Sequence, residues 1–339
     1  MEKKSKITMN DIAREAGVSQ ATVSLILNNA QSIKLSEETR QRVINTAQAL
    51  GYKKIPSPHR PDGQEEIAIL VNAMPSYDPF VDALSQARDA AWRNDTLLTI
   101  YDYGDDVELA LRIIRQLEQR RCVGIILASP VTGSIDFSLF DQRTTLPLVL
   151  LNVYDRAYPL LPTFLPDDHT NALQICRHLI EQGATRIAHI MGDNWMDASG
   201  LRLQGYKAAL EQAGLPFDEE LVVMTNWQLD ETYQATCQIM QLSPPPDAIF
   251  CASDWMAIGC YQALAKLQLN IPQDILVAGY DDQRIADQLT PKLTSVQLPY
   301  TELARQAVEY LCLGEDAATH VTIAGKLKRR SSTTPAPQQ

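Results

Sequence analysis

Two groups of side chains in this 339-residue chain have the types and spacing to do chemistry. The first lies in AGVSQATVSLIL, residues 16–27, where a glycine turn leads into a helix beginning Ser19-Gln20-Ala21-Thr22. Such a start buries little. It offers hydroxyls and an amide at the end where a helix also carries partial positive charge, which is chemistry for a polyanion. Ser19, Thr22 and Ser24 can bond phosphates, while Gln20 and Ala21 can meet base edges in a major groove. The second group falls at the ends of apolar runs. Asn152 ends LPLVLLN, Trp227 ends LVVMTNW, Ser253 and Asp254 follow AIFCA, Asp281 follows ILVAGY, and Arg202 opens RLQGYKAAL. A carboxylate, an arginine and an indole in one cleft suit a polyhydroxylated ring: the charges pair with hydroxyls and the indole stacks on the C–H face. Asp254 reads instead as a helix N-cap.

The elements that must position the first group are three short helices. Thr8 stands three residues before Asp11, a capping-box-like start for a helix with Ile12, Ala13 and Ala16 on one side. Gly17 stops it, and Ser19 caps a second helix whose inward face is Val23, Ile26 and Leu27. Ser36 caps a third, with Val43, Ala47 and Leu50 inward and Gly51 as its exit. Two helices joined at a glycine turn and braced by a third make a helix-turn-helix DNA reader. After it, Pro56, Pro58 and Pro61 fall in a linker that reads as solvated and non-helical.

From Glu65 onward apolar runs alternate with helical stretches. IAILV, LLTIYDY, VGIILA and LPLVLLN form one set, and RIAHIMG, LVVMTNW, DAIFCA and ILVAGYDD a second. These are βαβ units of two buried parallel sheets, so the fold class is α/β with two lobes and a cleft at the carboxyl ends of the strands.

Charge agrees with this division. The net charge is −11, yet residues 1–60 hold ten Lys/Arg against five acids, leaving 20 bases and 36 acids for the remainder. A basic head on an acidic body means that only the head meets a polyanion. The six cysteines form no CxxC pair and lie in apolar runs, as free thiols in a reducing compartment do. No secretory signal opens the chain and no run reaches the ~18 apolar residues of a membrane span, so a cytoplasmic location is expected. The five histidines have no metal-ligand spacing, and GxSxG, HExxH and GxxxxGK[ST] are absent. The expectation is therefore no catalytic residue, no metal and no cofactor.

ITMNDIAREAGVSQATVSLILNN resembles, without gaps, the DNA-binding head of the lactose-repressor family of bacterial transcription regulators. TRIAHIMG, LRLQGYKAAL, PPPDAIFCASDWMAIGCYQAL and LTSVQLPYTELARQAV follow the family order through the body. The resemblance implies the fold of periplasmic sugar-binding proteins with crossing segments near Pro166, Val296 and Gly325. It divides the chain into a head 1–55, a linker 56–66 and a body 67–335. Lobe one spans about 67–165 with 297–325, and lobe two about 166–296 with 326–335. Gln20, Ala21 and Leu25 occupy base-reading positions, with Thr8, Ser19, Thr22, Ser24, Asn28, Lys53 and Lys54 as further DNA contacts. Leu25 replaces the arginine often found there, which implies an apolar contact. The linker lacks the family's hinge-helix pattern and its leucine wedge. In the cleft, Arg202, Trp227 and Asp281 match effector-contacting positions, Phe80 matches an aromatic at the other wall, Asn152 and Ser253 stand where the family's type member has an aspartate and an asparagine, and Tyr300 is a further candidate for effector contact.

The function implied is a repressor of carbohydrate-utilisation genes, bound as a dimer to a pseudo-palindromic operator and controlled by a sugar-like effector. A nucleoside or purine effector is the alternative. A solute-binding protein without DNA function, or an enzyme fused to a DNA reader, accounts less well for the same residues. The terminal TTPAPQQ carries no leucine-repeat tail of the kind that makes tetramers.

Overall fold

A computed structural model describes residues 9–19, 22–23, 36–50, 65–74, 78–104, 106–136, 140, 144–157, 161–314 and 319–334. The chain divides into two units, Met1–Gly63 and Gln64–Gln339. In the first, helix Met9–Ala16 ends at Gly17, whose φ of 66° is the left-handed exit that glycine supplies without strain. The Thr22 amide donates to Ser19 Oγ at 3.1 Å, so Ser19 caps the second helix as expected. Ser36 does the same through the Thr39 amide at 3.2 Å, ahead of helix Glu37–Ala49. Ile12, Ala13, Ala16, Val23, Val43 and Ala47 form one buried core, with Val18 and Leu50 packed against it. Arg42 of the third helix donates to the Ala16 carbonyl at 3.2 Å, satisfying an acceptor that the end of the first helix leaves open. Thr8, Gln20, Ala21, Ser24, Leu25, Asn28, Lys53, Lys54 and the linker up to residue 64 lie outside the described residues.

The second unit is built on two parallel sheets. Strands β1 (Glu65–Val71), β2 (Thr96–Asp102), β3 (Cys122–Ser134), β4 (Leu148–Tyr154), β5 (Thr163–Pro166) and β11 (His320–Ile323) form a six-stranded sheet in the order β11-β5-β4-β3-β1-β2. Strands β6 (Ile187–Met191), β7 (Val222–Met224), β8 (Ala248–Cys251) and β9 (Leu276–Ala278) form a four-stranded sheet, β7-β6-β8-β9. The central strands are buried along nearly their whole length, as parallel strands covered on both faces must be. Helices α1 (Asp78–Arg93), α2 (Val107–Glu118) and α7 (Tyr300–Leu313) follow strands of the first sheet or pack on it. Helices α3 (Asp168–Glu181), α4 (Asp197–Gln212), α5 (Leu229–Ile239) and α6 (Asp254–Lys266) belong to the second.

The chain crosses between the two halves three times. It leaves the six-stranded half after β5 and returns after β10 (Ser295–Gln297). After β11 it crosses again into β12 (Lys326–Lys328), which pairs antiparallel with β10. Gly325 sits at that last crossing because the chains run too close for a side chain: a Cβ there would lie 2.5 Å from the Gln297 carbonyl oxygen. Its amide donates to Asn171 Oδ1 at 2.6 Å. The final segment then stitches the second half together. Ser332 Oγ donates to the Val277 carbonyl and accepts from the Thr294 amide, and Thr333 Oγ1 bonds Thr294 and His178.

Two local expectations need correction. LVVMTNW is strand only from Val222 to Met224, so Trp227 lies in the following loop, at a φ of 69°. Helix α4 begins at Asp197, whose charge suits a helix N-terminus, and this places Arg202 in the second turn and not at the opening. The strands β5, β10, β11 and β12 are too short to show a hydrophobic period of their own.

His189 on β6 is fully buried and stacked on Phe250, with centroids 4.5 Å apart. Burial, with Arg202 nearby, lowers its pKa to about 4 despite a bond to the Phe250 carbonyl. An unfolded imidazole titrates near ~6.5, so the stability tied to the neutral ring is complete above that pH. It drains away as pH falls toward 4, by on the order of 3 kcal/mol. His189→Leu should therefore flatten the decline of the melting temperature across this range, whatever it does to the plateau. An unchanged slope would assign the acid sensitivity to another group.

Candidate functional site

Between the two halves, at the carboxyl ends of their strands, lies a cavity of about 580 Å³. The six-stranded half contributes Phe80 from α1, Pro130 to Thr132 from β3, and Leu298 and Tyr300 before and at the start of α7. The four-stranded half contributes Arg202, Trp227, Ser253, Trp255, Asp281 and Gln283 among others. Phe80 and Tyr300 meet edge to face, centroids 5.5 Å apart, and make one aromatic wall.

The wall at residues 129–132 exists because β3 breaks register against β4 between Ala128 and Gly133. Asn152 holds this excursion from behind. Its amide donates to the Ser129 carbonyl at 2.8 Å, and its Oδ1 accepts from Thr132 Oγ1 at 2.6 Å. Asn152 is fully buried and does not line the cavity, so the reading of it as a contact is corrected: its polar atoms are already used on the protein's own loop.

Arg202 is 6% exposed and nearly saturated. Its Nε donates to Asp168 Oδ1 at 2.8 Å and one terminal nitrogen donates to the Ala252 carbonyl at 2.6 Å. The guanidinium lies 3.7 Å over the Tyr280 ring, and Tyr280 Oη donates to the same Asp168 oxygen at 2.7 Å. Burial alone would lower the Arg202 pKa, but Asp168, Tyr280 and Asp281 more than offset it and hold the charge firmly. Only the other terminal nitrogen, 4.0 Å from Asp281 Oδ1, is turned to a carboxylate that lines the cavity. The arginine is thus half anchor, half contact.

Trp227 lies against Gly192, where a Cβ would come within 1.9 Å of the indole. Its Nε1 is buried with no hydrogen-bond partner, an unusual state for a polar atom and a mark of a missing acceptor. Ser253, rather than Asp254, caps α6: its Oγ accepts from the Met256 amide at 3.2 Å. Asp254 is fully buried, accepting from the Gln283 amide and Ser295 Oγ at 2.7 Å each. Burial and the nearby Asp281 push its pKa well above the usual carboxylate range. It braces the loop that presents Asp281.

Phe80, Arg202, Trp227, Ser253, Asp281 and Tyr300 therefore come together as expected. Sequence reasoning misses Thr132, Gln228, Gln283 and two tryptophans, Trp195 and Trp255. The signal was available for the tryptophans, since they flank the loop before α4 and the Ser253-Asp254 turn that opens α6. Among the described residues no cluster of His, Cys, Asp and Glu is arranged to hold a metal, and no helix is long and apolar enough to cross a membrane.

Beside the cavity a bond joins the halves. Tyr154, the last residue of β4, donates to Asp197 Oδ2 at 2.6 Å, and Arg156 reaches Asp197 Oδ1 at 3.3 Å. Asp197 opens α4 and follows Met196, which lines the cavity.

The geometry has counterparts. Residues 8–54 match the model for bacterial regulatory proteins of the lacI family, and residues 176–333 match that for a periplasmic binding protein-like domain. Over 328 residues the chain is 30% identical to the HTH-type transcriptional repressor CytR of Escherichia coli (strain K12), covering 94% of this chain and 93% of that protein. The chain belongs to the lacI family. It is also similar to the ribose operon repressor of Escherichia coli (strain K12), with 31% identity over 312 residues, 90% of this chain and 92% of that one. Among solved structures it is similar to a transcriptional regulator CelR–cellobiose complex, with a TM-score of 0.67, 25% identity, and coverage of 96% and 100%. As a lacI-family member it is a DNA-binding transcriptional regulator, with a helix-turn-helix head and a periplasmic-binding-protein-like body.

The Tyr154–Asp197 bond favours the juxtaposition of the two halves seen here by about 1 kcal/mol, enough for a several-fold change in the population of any more open arrangement. Asp197→Ala should therefore raise the radius of gyration measured by small-angle scattering. A superimposable scattering curve would show that the bond holds nothing shut.

Proposed function

We propose that the protein is a repressor of carbohydrate-utilisation genes whose operator affinity is set by a sugar-like effector in the cavity between the two halves of the body. The observation that carries this reading is the convergence of Asp281, one edge of Arg202, the Trp227 indole and the Phe80–Tyr300 pair on one cavity. Carboxylate and guanidinium take hydroxyls in pairs, and aromatic faces take the C–H side of a ring. The unpartnered Trp227 Nε1 supplies a donor for one further oxygen. A nucleoside is the second reading, since indoles also stack bases. The relatives named above are regulators and not enzymes, which agrees with a body that binds without converting. The division into head 1–55, linker 56–66 and body 67–335 belongs to the same proposal.

In the head, Gln20 and Ala21 read base edges, with Leu25 against a thymine methyl. Ser19 and Thr22 bond phosphates, although their hydroxyls are also hydrogen-bonded to each other at 2.8 Å. Gel shifts with the promoter upstream of the gene test this. Gln20→Ala should weaken specific binding by about 1–3 kcal/mol and relax preference at one operator position. Asp281→Ala should keep operator affinity near wild type and lose the response to effector. Unchanged sequence preference in the first variant, or a normal response in the second, would overturn the corresponding assignment.

One helix-turn-helix head reads only a half-site, so the regulator is expected to act as a dimer. Val81 and Trp92 on α1 and Leu97 and Ile100 on the edge strand β2 are exposed apolar side chains suited to bury against a second copy. Light scattering should report a dimer at micromolar concentration, and Leu97→Lys should shift it toward monomer. A wild-type monomer would sink the idea.

A further inference from the structure

Three of the chain's four tryptophans line the cavity. Trp227 belongs to the inner set with buried Phe80 and Tyr300, whereas Trp195 is 69% and Trp255 51% exposed. Two half-bare indoles on one cavity are surface that solvent covers poorly and a ligand covers well. Neither takes part in the core clusters of the body. The volume of about 580 Å³ also falls in the class that takes drug-sized molecules, and one sugar ring leaves much of it empty.

Charge narrows the occupant further. Among the described residues Arg202 is the single cationic side chain of the lining; it is already paired with Asp168, and Asp281 adds a carboxylate. Among these described residues a phosphorylated ligand meets no spare positive charge, which favours a neutral occupant. The remaining polar lining, Gln228, Gln283, Asn226 and Thr132, offers amides and a hydroxyl, which suit hydroxyl groups.

We infer that the effector is a neutral disaccharide, one ring held by Asp281, Arg202 and Trp227 and the second stacked on the exposed indoles of Trp195 and Trp255. The inference rests on the sugar reading above and extends it. A saturated second ring gives each indole a C–H face while its hydroxyl edges stay in water, which matches the half-exposed state of these side chains.

The test is calorimetric titration of the full-length protein with a panel of disaccharides (cellobiose, maltose, lactose, sucrose, trehalose), their component monosaccharides, glucose 6-phosphate and the common nucleosides. A disaccharide should bind at least tenfold more tightly than its monosaccharides, and glucose 6-phosphate should not bind. Trp255→Ala and Trp195→Ala should each weaken the disaccharide about tenfold and change monosaccharide binding less than twofold. Circular dichroism confirms that each variant is folded, and Trp255→Phe should recover most of the loss. A monosaccharide that binds as tightly as any disaccharide, with both variants neutral, overturns the second-ring site and leaves the sugar reading standing. Binding of nucleosides in place of sugars overturns both.

Discussion

The body is organised by one buried ion pair. Asp168 is fully buried, Arg202 nearly so, and charges taken out of water at such a place are tolerated only when paired and hydrogen-bonded. Each partner lies on a different helix, α3 and α4, and the pair also fixes the carbonyl at the end of β8 and the tyrosine after β9. Asn171, one turn beyond Asp168, bonds both Tyr280 and the amide of Gly325 at the last crossing. A single electrostatic constraint thus ties two helices, two strand ends and one passage between the halves. Removing either charge alone leaves the other buried and uncompensated, at a cost of about 3–5 kcal/mol. The same pair decides what the cavity can hold, because it takes the arginine's charge out of circulation.

Around this anchor the backbone is held in conformations that ordinary residues avoid. Asn152, Trp227, Asp281 and Asp282 all have positive φ, at 60°, 69°, 100° and 53°. Each is pinned by neighbours: Asn152 by the 129–132 loop, Trp227 by the bare backbone of Gly192, Asp281 by the Val296 carbonyl that its amide reaches at 3.1 Å, and Asp282 by Arg330 at 2.6 Å. Strain of about 1–3 kcal/mol per residue persists only where surroundings over-determine it, and here it is spent on aiming side chains at or around one cavity.

Much of this was legible in the residues themselves. Buried parallel strands announce themselves as apolar runs, and six of the seven expected cleft residues line one cavity, because strand ends in α/β folds must converge there. What failed did so for local reasons. Asn152 carries polar groups that look available on paper but are consumed by the loop beside it, and Asp254, expected as the N-cap, yields that role to Ser253 and braces a loop instead; no spacing rule reveals which hydrogen bonds a side chain already makes. Trp195 and Trp255 have no periodic partner to mark them, and the only signal was their place just beyond the ends of strands, in the loop before α4 and beside the turn that opens α6. The short strands of the crossings owe their pairing to distant segments and carry no pattern of their own.

The three crossings also set an order of events during synthesis. Among the described residues, the core of the head is made by residues up to Leu50. The four-stranded half, by contrast, takes its last stitches from Ser332 and Thr333, and the six-stranded sheet waits for β11 at His320–Ile323. At roughly 5–20 residues per second, the ribosome separates those two moments by some tens of seconds. For that interval the nascent chain carries the core residues of its head but lacks the last stitches of its body.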